Sequence, residues 1–159
     1  MSRSAPGVPV LEAIVLYLDG HVHHLHPVDA PTLQFSWQDG FHPAEVVVDG
    51  VAIVGLSPFL VHSTSWRMEG DHLVLSFLVG VEPPSEVPSG FAREHVDRVA
   101  LARGHALGPP VDVGSHHVVE HGLRHLAWLV RDDPGIHGAL PEWAEALADY
   151  EPEPFRAFG

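Results

Sequence analysis

Among side chains able to do chemistry, histidine stands out, with 14 copies in 159 residues. His117, Glu120 and His121 fall in the spacing H-x-x-E-H. On a helix, histidines at i and i+4 share a face and can hold Zn²⁺, with the glutamate as general base. Five matched residues in so histidine-rich a chain are a weak signal, and too little chain follows for the further acidic ligand of such sites. A structural or surface role is expected there, with no metal and no cofactor. His21 and His23 share one strand face and can clip a transition metal. Without an obvious third ligand, the expectation is an exposed polar edge strand.

A second constellation lies on two neighbouring apolar runs. Ser63, Ser65, Arg67, Ser76 and His72 place hydroxyls around a guanidinium on one sheet face. Arginine suits bidentate recognition of carboxylate or phosphate. Ser63, Ser65, Arg67 and His72 are therefore candidate binding residues for a small anionic ligand. The alternative is that these groups satisfy one another or the loop that follows. No G-x-S-x-G, P-loop or dinucleotide-binding glycine signature is present.

The elements that position these groups read as follows. Leu11–Leu18 is an apolar strand, Asp19-Gly20 a tight turn, and His21–His26 a returning strand. Thr32–Trp37 alternates as a short third strand. For Pro43–Val54 two readings compete, a hairpin at Asp49-Gly50 or a helix. The helix is preferred because Pro43 suits its first turn and Glu45 complements the N-terminal dipole. Ala44, Val47, Val48, Val51 and Val54 recur at helical spacing, and Gly55-Leu56-Ser57-Pro58 reads as a stop. Against it stand the β-branched residues and Gly50.

Phe59–Met68 and His72–Val81 are the clearest strands. A turn at Glu69-Gly70 pairs Trp66 with Leu73, Thr64 with Leu75 and His62 with Phe77, and places Val61, Ser63, Ser65 and Arg67 on the other face. Glu82–Gly114 is a long loop rich in proline and glycine, with one possible edge strand at Arg98–Ala102.

Ser115 can cap a helix to about Arg131, ended by Asp132-Asp133-Pro134-Gly135. Its core stripe is Val119, Leu123, Leu126, Ala127 and Val130. At about 100° per residue, His117, His121, Arg124, His125 and Trp128 lie on the opposite side. Tryptophan and arginine there suit a homodimer interface or a pocket, with His121, Arg124, His125 and Trp128 as its residues. A tryptophan lying under the C-terminal tail is the bland alternative. Pro141–Tyr150 is a second helix, buried through Trp143, Ala146, Leu147 and Tyr150.

Bulk properties bound the function. The length suits a single domain spanning 1–159: a core over 11–131, an extra C-terminal helical stretch over 136–150 and a tail over 151–159. There is no cysteine, so disulfides, thiolate metal sites and cysteine nucleophiles are excluded. Twenty-one acids against 8 arginines, with no lysine, give a formal net charge of −13. A field of that sign disfavours nucleic-acid polymers and anionic membranes. Apolar runs fall short of the ~20 residues of a membrane span, and Met1–Gly7 lacks signal-peptide character. A cytoplasmic protein is expected.

The order strand, strand, strand, helix, Gly-Leu, strand hairpin, long loop, helix resembles a Nudix domain from Leu11 to about Arg131. That family's signature is G-x5-E-x7-R-E-U-x-E-E-x-G-U, where U is aliphatic. Anchoring its terminal Gly-Leu on Gly55-Leu56 puts the signature helix on Pro43–Val54. The resemblance implies an α+β fold, a Nudix-like α/β/α sandwich with a mixed sheet and C-terminal helices. The chemistry does not carry over. The family's Arg-Glu pair falls on Val48-Asp49, its Glu-Glu pair on Ala52-Ile53 and its leading Gly on Gln34. Mg²⁺ bridging substrate phosphates needs several carboxylates on one helix face, and one aspartate cannot supply them. The chain also resembles proteins of GC-rich bacteria that carry a His-Ser-Thr-Ser-Trp-Arg strand (62–67), which implies no activity. The expectation is a non-hydrolytic ligand-binding or homodimeric interaction module. The alternative is a hydrolase that uses His, Arg and Ser residues on a small anionic or nucleotide-like substrate.

Overall fold

The structure, a computed structural model, describes residues 7–38, 40–96 and 115–147, with side chains of the last segment from residue 122 onward. The chain divides into two compact units, Met1–His95 and Val96–Gly159. The class is α+β, with a mixed sheet and C-terminal helices, as expected.

The first unit holds β1 (Val10–Asp19), β2 (His21–Pro27), β3 (Leu33–Ser36), α1 (Pro43–Ile53), β4 (Pro58–Glu69), β5 (His72–Val81) and β6 (Phe91–His95). The strands form one sheet in the order β4-β5-β1-β2-β6, with β3 also paired to β1. β1 runs parallel to β5 and antiparallel to β2 and β3. Because β1 is central, residues 11–17 are all buried, Glu12 among them. One sheet face presents Leu11, Ala13, Val15, Tyr17, Leu25, Phe77, Val79 and Val81, which cluster with Val47 and Val51 of α1. Full burial of an aliphatic side chain stabilises by about 1.5–3 kcal/mol, so this layer is what seats α1. Glu12, Ile14, Leu16, Val74, Ser76 and Leu78, on the other face by register, are buried too.

Pro43–Ile53 is helix, not hairpin. The His42 side chain accepts a hydrogen bond from the Ala44 amide, and Pro43 opens the first turn. Gly55 ends the helix at φ +94°, donating to the Ala52 carbonyl, while Leu56 N–H reaches back to Val51. The mid-helix glycine has a packing reason. A Cβ at Gly50 would stand 2.3 Å from Cε1 of Phe35, so the bare backbone lets the β3 ring lie against the helix.

The β4–β5 hairpin corrects the expected register in two ways. Glu69 pairs with His72 and Trp66 with Leu75, so the turn is Gly70-Asp71 and the pairing is displaced by two residues. Gly70 has φ +61°, and among the described residues no other residue type takes positive φ; glycine at the first turn position is what a type II′ hairpin requires. Further along, the register shifts between Ser63 and Ser65. This bulge turns Ser63 and Val61 to the face of Phe77 and Val79, and His62 to the face of Leu78. β6, within the expected loop, is a further strand, antiparallel to β2.

The second unit contains α2 (Ser115–Asp132), α3 (Pro134–Ala139) and α4 (Pro141–Ala146). The expected stop at 132–135 is where α3 begins: the Asp133 carboxylate accepts from the Gly135 and Ile136 amides, at 2.9 and 3.2 Å. Leu123, Leu126, Ala127 and Val130 are buried, as are Trp143 and Leu147. The strand expected at 98–102, the end of the second helix at 148–150 and the tail 151–159 lie outside the described residues. Among the described residues no helix is long and apolar enough to cross a membrane.

Candidate functional site

The polar centre of the first unit forms around a carboxylate in an apolar strand. Glu12 is 2% exposed, and a charge so placed must be paired and hydrogen-bonded. Its Oε2 accepts from Arg67 Nη1 at 2.7 Å and from Ser76 Oγ at 2.7 Å. Its Oε1 accepts from Arg67 Nη2 at 3.0 Å and from Thr32 Oγ1 at 2.8 Å. Arg67 Nη1 also donates to Ser76 Oγ at 3.2 Å, and its Nε donates to Glu69 Oε1 at 2.8 Å.

Burial alone would raise the Glu12 pKa. The hydrogen bonds from Arg67, Ser76 and Thr32, with the Arg67 charge, outweigh it and hold the group below its ordinary value. The hydrogen bond to Glu12 is the main cause that strengthens the hold of Arg67 on its proton. Both groups stay charged across the neutral range, and every guanidinium nitrogen is engaged within the protein.

Of the four candidate ligand-binding residues, the sheet gathers three. Arg67 stands in the network. Ser65 pairs with Ser76 across the strands, and His72 lies beside Glu69, its Nε2 3.3 Å from Asp71 Oδ1. Ser63 is carried to the opposite face by the bulge. The residues that complete the centre, Glu12 and Thr32, were not anticipated. The available signal was the one acid inside Leu11–Leu18, since charge in a strand buried on both faces calls for a partner. His62, on the same face as Ser76, has its pKa lowered by burial.

A second cluster lies at the far edge of the sheet. His23 pairs directly with His95 of β6, and their ring centres are 6.0 Å apart. The His21 ring meets His95 edge-on at 4.7 Å, and His23 stacks on Tyr17 at 4.8 Å. Edge pairing thus brings a third imidazole to the His21–His23 pair.

In the second unit, Trp128 is 43% exposed. It lies on the side of α2 away from the buried stripe, with Arg124 and His125 half-buried near it. The side chains of His117, Glu120 and His121 lie outside the described residues, although α2 carries their backbone.

The Mg²⁺ centre that the Nudix resemblance would imply does not fit α1. Ala52 and Ile53 are exposed at the positions of the paired glutamates and have no oxygen to offer, leaving Glu45 and Asp49 as the helix's acids. Among the described residues no group of three or more His, Cys, Asp or Glu is set to hold a metal.

No family model matches the chain, and no curated protein matches it. Among solved structures it is similar to a Nudix hydrolase from M. smegmatis, RenU, with 11% identity and a TM-score of 0.43. That match covers 75% of this chain and 85% of the other.

Proposed function

We propose that this protein is a homodimeric interaction module on a Nudix-like α+β domain, without Mg²⁺-dependent hydrolase chemistry. The observation that carries the reading is Trp128, 43% exposed on a helix whose other side is buried. Large aromatic and arginine side chains dominate the energetics of protein interfaces. A twofold axis through the α2 face would pair Trp128, Arg124 and His125 of one protomer with the same patch of its partner, the self-complementary arrangement of a C₂ dimer. A net charge of −13 on each copy opposes association. The contact must therefore rest on short-range packing, and it strengthens as salt screens the repulsion.

Sedimentation velocity at micromolar concentration tests the reading. Wild type is expected to sediment as a dimer at 0.15 M salt and to keep that state at higher salt. Trp128→Ala is expected to sediment as a monomer. A wild-type monomer under both conditions would overturn the proposal and leave Trp128 as an intramolecular packing residue.

A further inference from the structure

We infer that His21, His23 and His95 form a binding site for a divalent transition ion of zinc type at the β2–β6 edge. His21 and His23 stand two residues apart on β2, and His95 is the direct cross-strand partner of His23. All three share a face by register, so three imidazoles of one sheet corner project to the same side. With Zn–N distances of ~2.0–2.1 Å, two imidazoles on one tetrahedral ion have ring centres roughly 5 Å apart. The observed separations, 4.7 Å for His21–His95 and 6.0 Å for His23–His95, bracket that spacing.

The central ring is prepared for the role. His23 Nε2 faces the Asp19 carbonyl at 3.4 Å, which favours the tautomer with hydrogen on Nε2. Its Nδ1 is buried and has no hydrogen-bond partner among the described residues, and a bare imidazole lone pair is what a metal takes. Stacking on Tyr17 at 4.8 Å and 23° holds the ring in place, and the Nε2 contact to the Asp19 carbonyl is the outer-shell support that metal-binding histidines use. Asp19 pairs with His21 on the same face and offers a carboxylate for the fourth position. Arg93, a cation on the same face, is turned to Tyr17 OH at 3.2 Å.

As the rings stand, their nitrogens do not yet surround one point. His21 and His95 are exposed, so turning about their side-chain bonds is the change that binding requires, with no strand displaced. A bound ion would clip β6, the outer strand, to β2.

The test uses the full chain, free of any affinity tag, titrated with Zn²⁺ against a chromogenic chelator, with Co²⁺ absorption as a second readout. The expectation is about one tight site per chain, with a tetrahedral Co²⁺ spectrum. His21→Ala and His95→Ala should each weaken Zn²⁺ at least tenfold and abolish that spectrum, while His121→Ala leaves both unchanged. Both strand histidines are exposed, so the variants retain the metal-free fold, checked by an unchanged unfolding midpoint without zinc. Absence of a tight site, or a site that survives His21→Ala and His95→Ala but is lost in His121→Ala, would overturn the inference.

Discussion

Glu12 and Arg67 form a two-pronged ion pair across strands that are not neighbours. β5 runs between β1 and β4, and Ser76 on β5 bonds to both partners. The pair therefore ties three strands on one face, and its removal should be felt as lost stability. Removing one partner of a buried pair costs about 3–5 kcal/mol, because it strands the other charge. Arg67→Ala and Glu12→Ala are each expected to cost near the lower end, since the Arg67 side chain keeps 22% of its exposure. The double change Glu12→Leu with Arg67→Met should recover part of the loss, leaving the Ser76 and Thr32 hydroxyls without their acceptor. Urea unfolding of wild type, Glu12→Leu, Arg67→Met and the double variant measures the coupling as a double-mutant cycle. Additive losses would show that the pair contributes no coupling.

The same pair sets a pH dependence. The folded-state pKa of Glu12 lies below its unfolded value, which is about 4.3 for a glutamate. The unfolded chain thus takes up the proton first as pH falls. The contribution of Glu12 is fully present above about pH 4.3 and is lost as pH falls through the lower folded-state value. Wild type and Glu12→Gln should differ by a constant amount from pH 7 to 5 and converge below pH 4. A difference that stays constant down to pH 3 would mean that Glu12 does not titrate with unfolding.

Gly50 gives a test in which two effects oppose. On propensity alone, Gly50→Ala in a helix interior should stabilise by about 0.8–1 kcal/mol. The new Cβ would meet the Phe35 ring at 2.3 to 2.9 Å, and overpacking of this kind costs typically 1–3 kcal/mol. A net loss of about 1 kcal/mol is expected in thermal or urea unfolding. With Phe35→Leu in the background, the loss should shrink or reverse. Stabilisation by Gly50→Ala alone would show that the ring moves aside freely.

What could be read from the sequence followed the reach of the forces involved. α1 was legible because its ends are local: Pro43 at the start, Gly55 and Leu56 at the stop. The apolar runs of β1, β4 and β5 likewise announce themselves. The β4 bulge was not legible, since alternation cannot say where an extra residue enters, and it alone removed Ser63 from the Arg67 face. β6 is five residues of mixed polarity next to Pro88 and Gly90, held by pairing to β2 and not by any pattern of its own. The third histidine of the edge cluster depended on that pairing, as the partner of Arg67 depended on the order of strands. At Asp133-Pro134-Gly135 one tripeptide serves as both stop and start, because an aspartate cap followed by proline begins a helix as readily as it ends the one before.

α1 carries only Glu45 and Asp49 as acids along its length. Diphosphate hydrolysis with Mg²⁺ needs carboxylates that bridge the ion to substrate phosphates. Here the outward positions 52 and 53 carry alanine and isoleucine, the latter 85% exposed. No Mg²⁺-dependent turnover above buffer is expected across a panel of nucleoside diphosphate derivatives, measured by phosphate release. Because both positions face solvent, Ala52→Glu with Ile53→Glu should fold with stability within about 0.5 kcal/mol of wild type. Equal stability would show that packing does not require alanine and isoleucine at these positions. Chelator-sensitive turnover by wild type that disappears in Glu45→Gln or Asp49→Asn would sink this reading, and would show the two remaining acids of α1 to be sufficient.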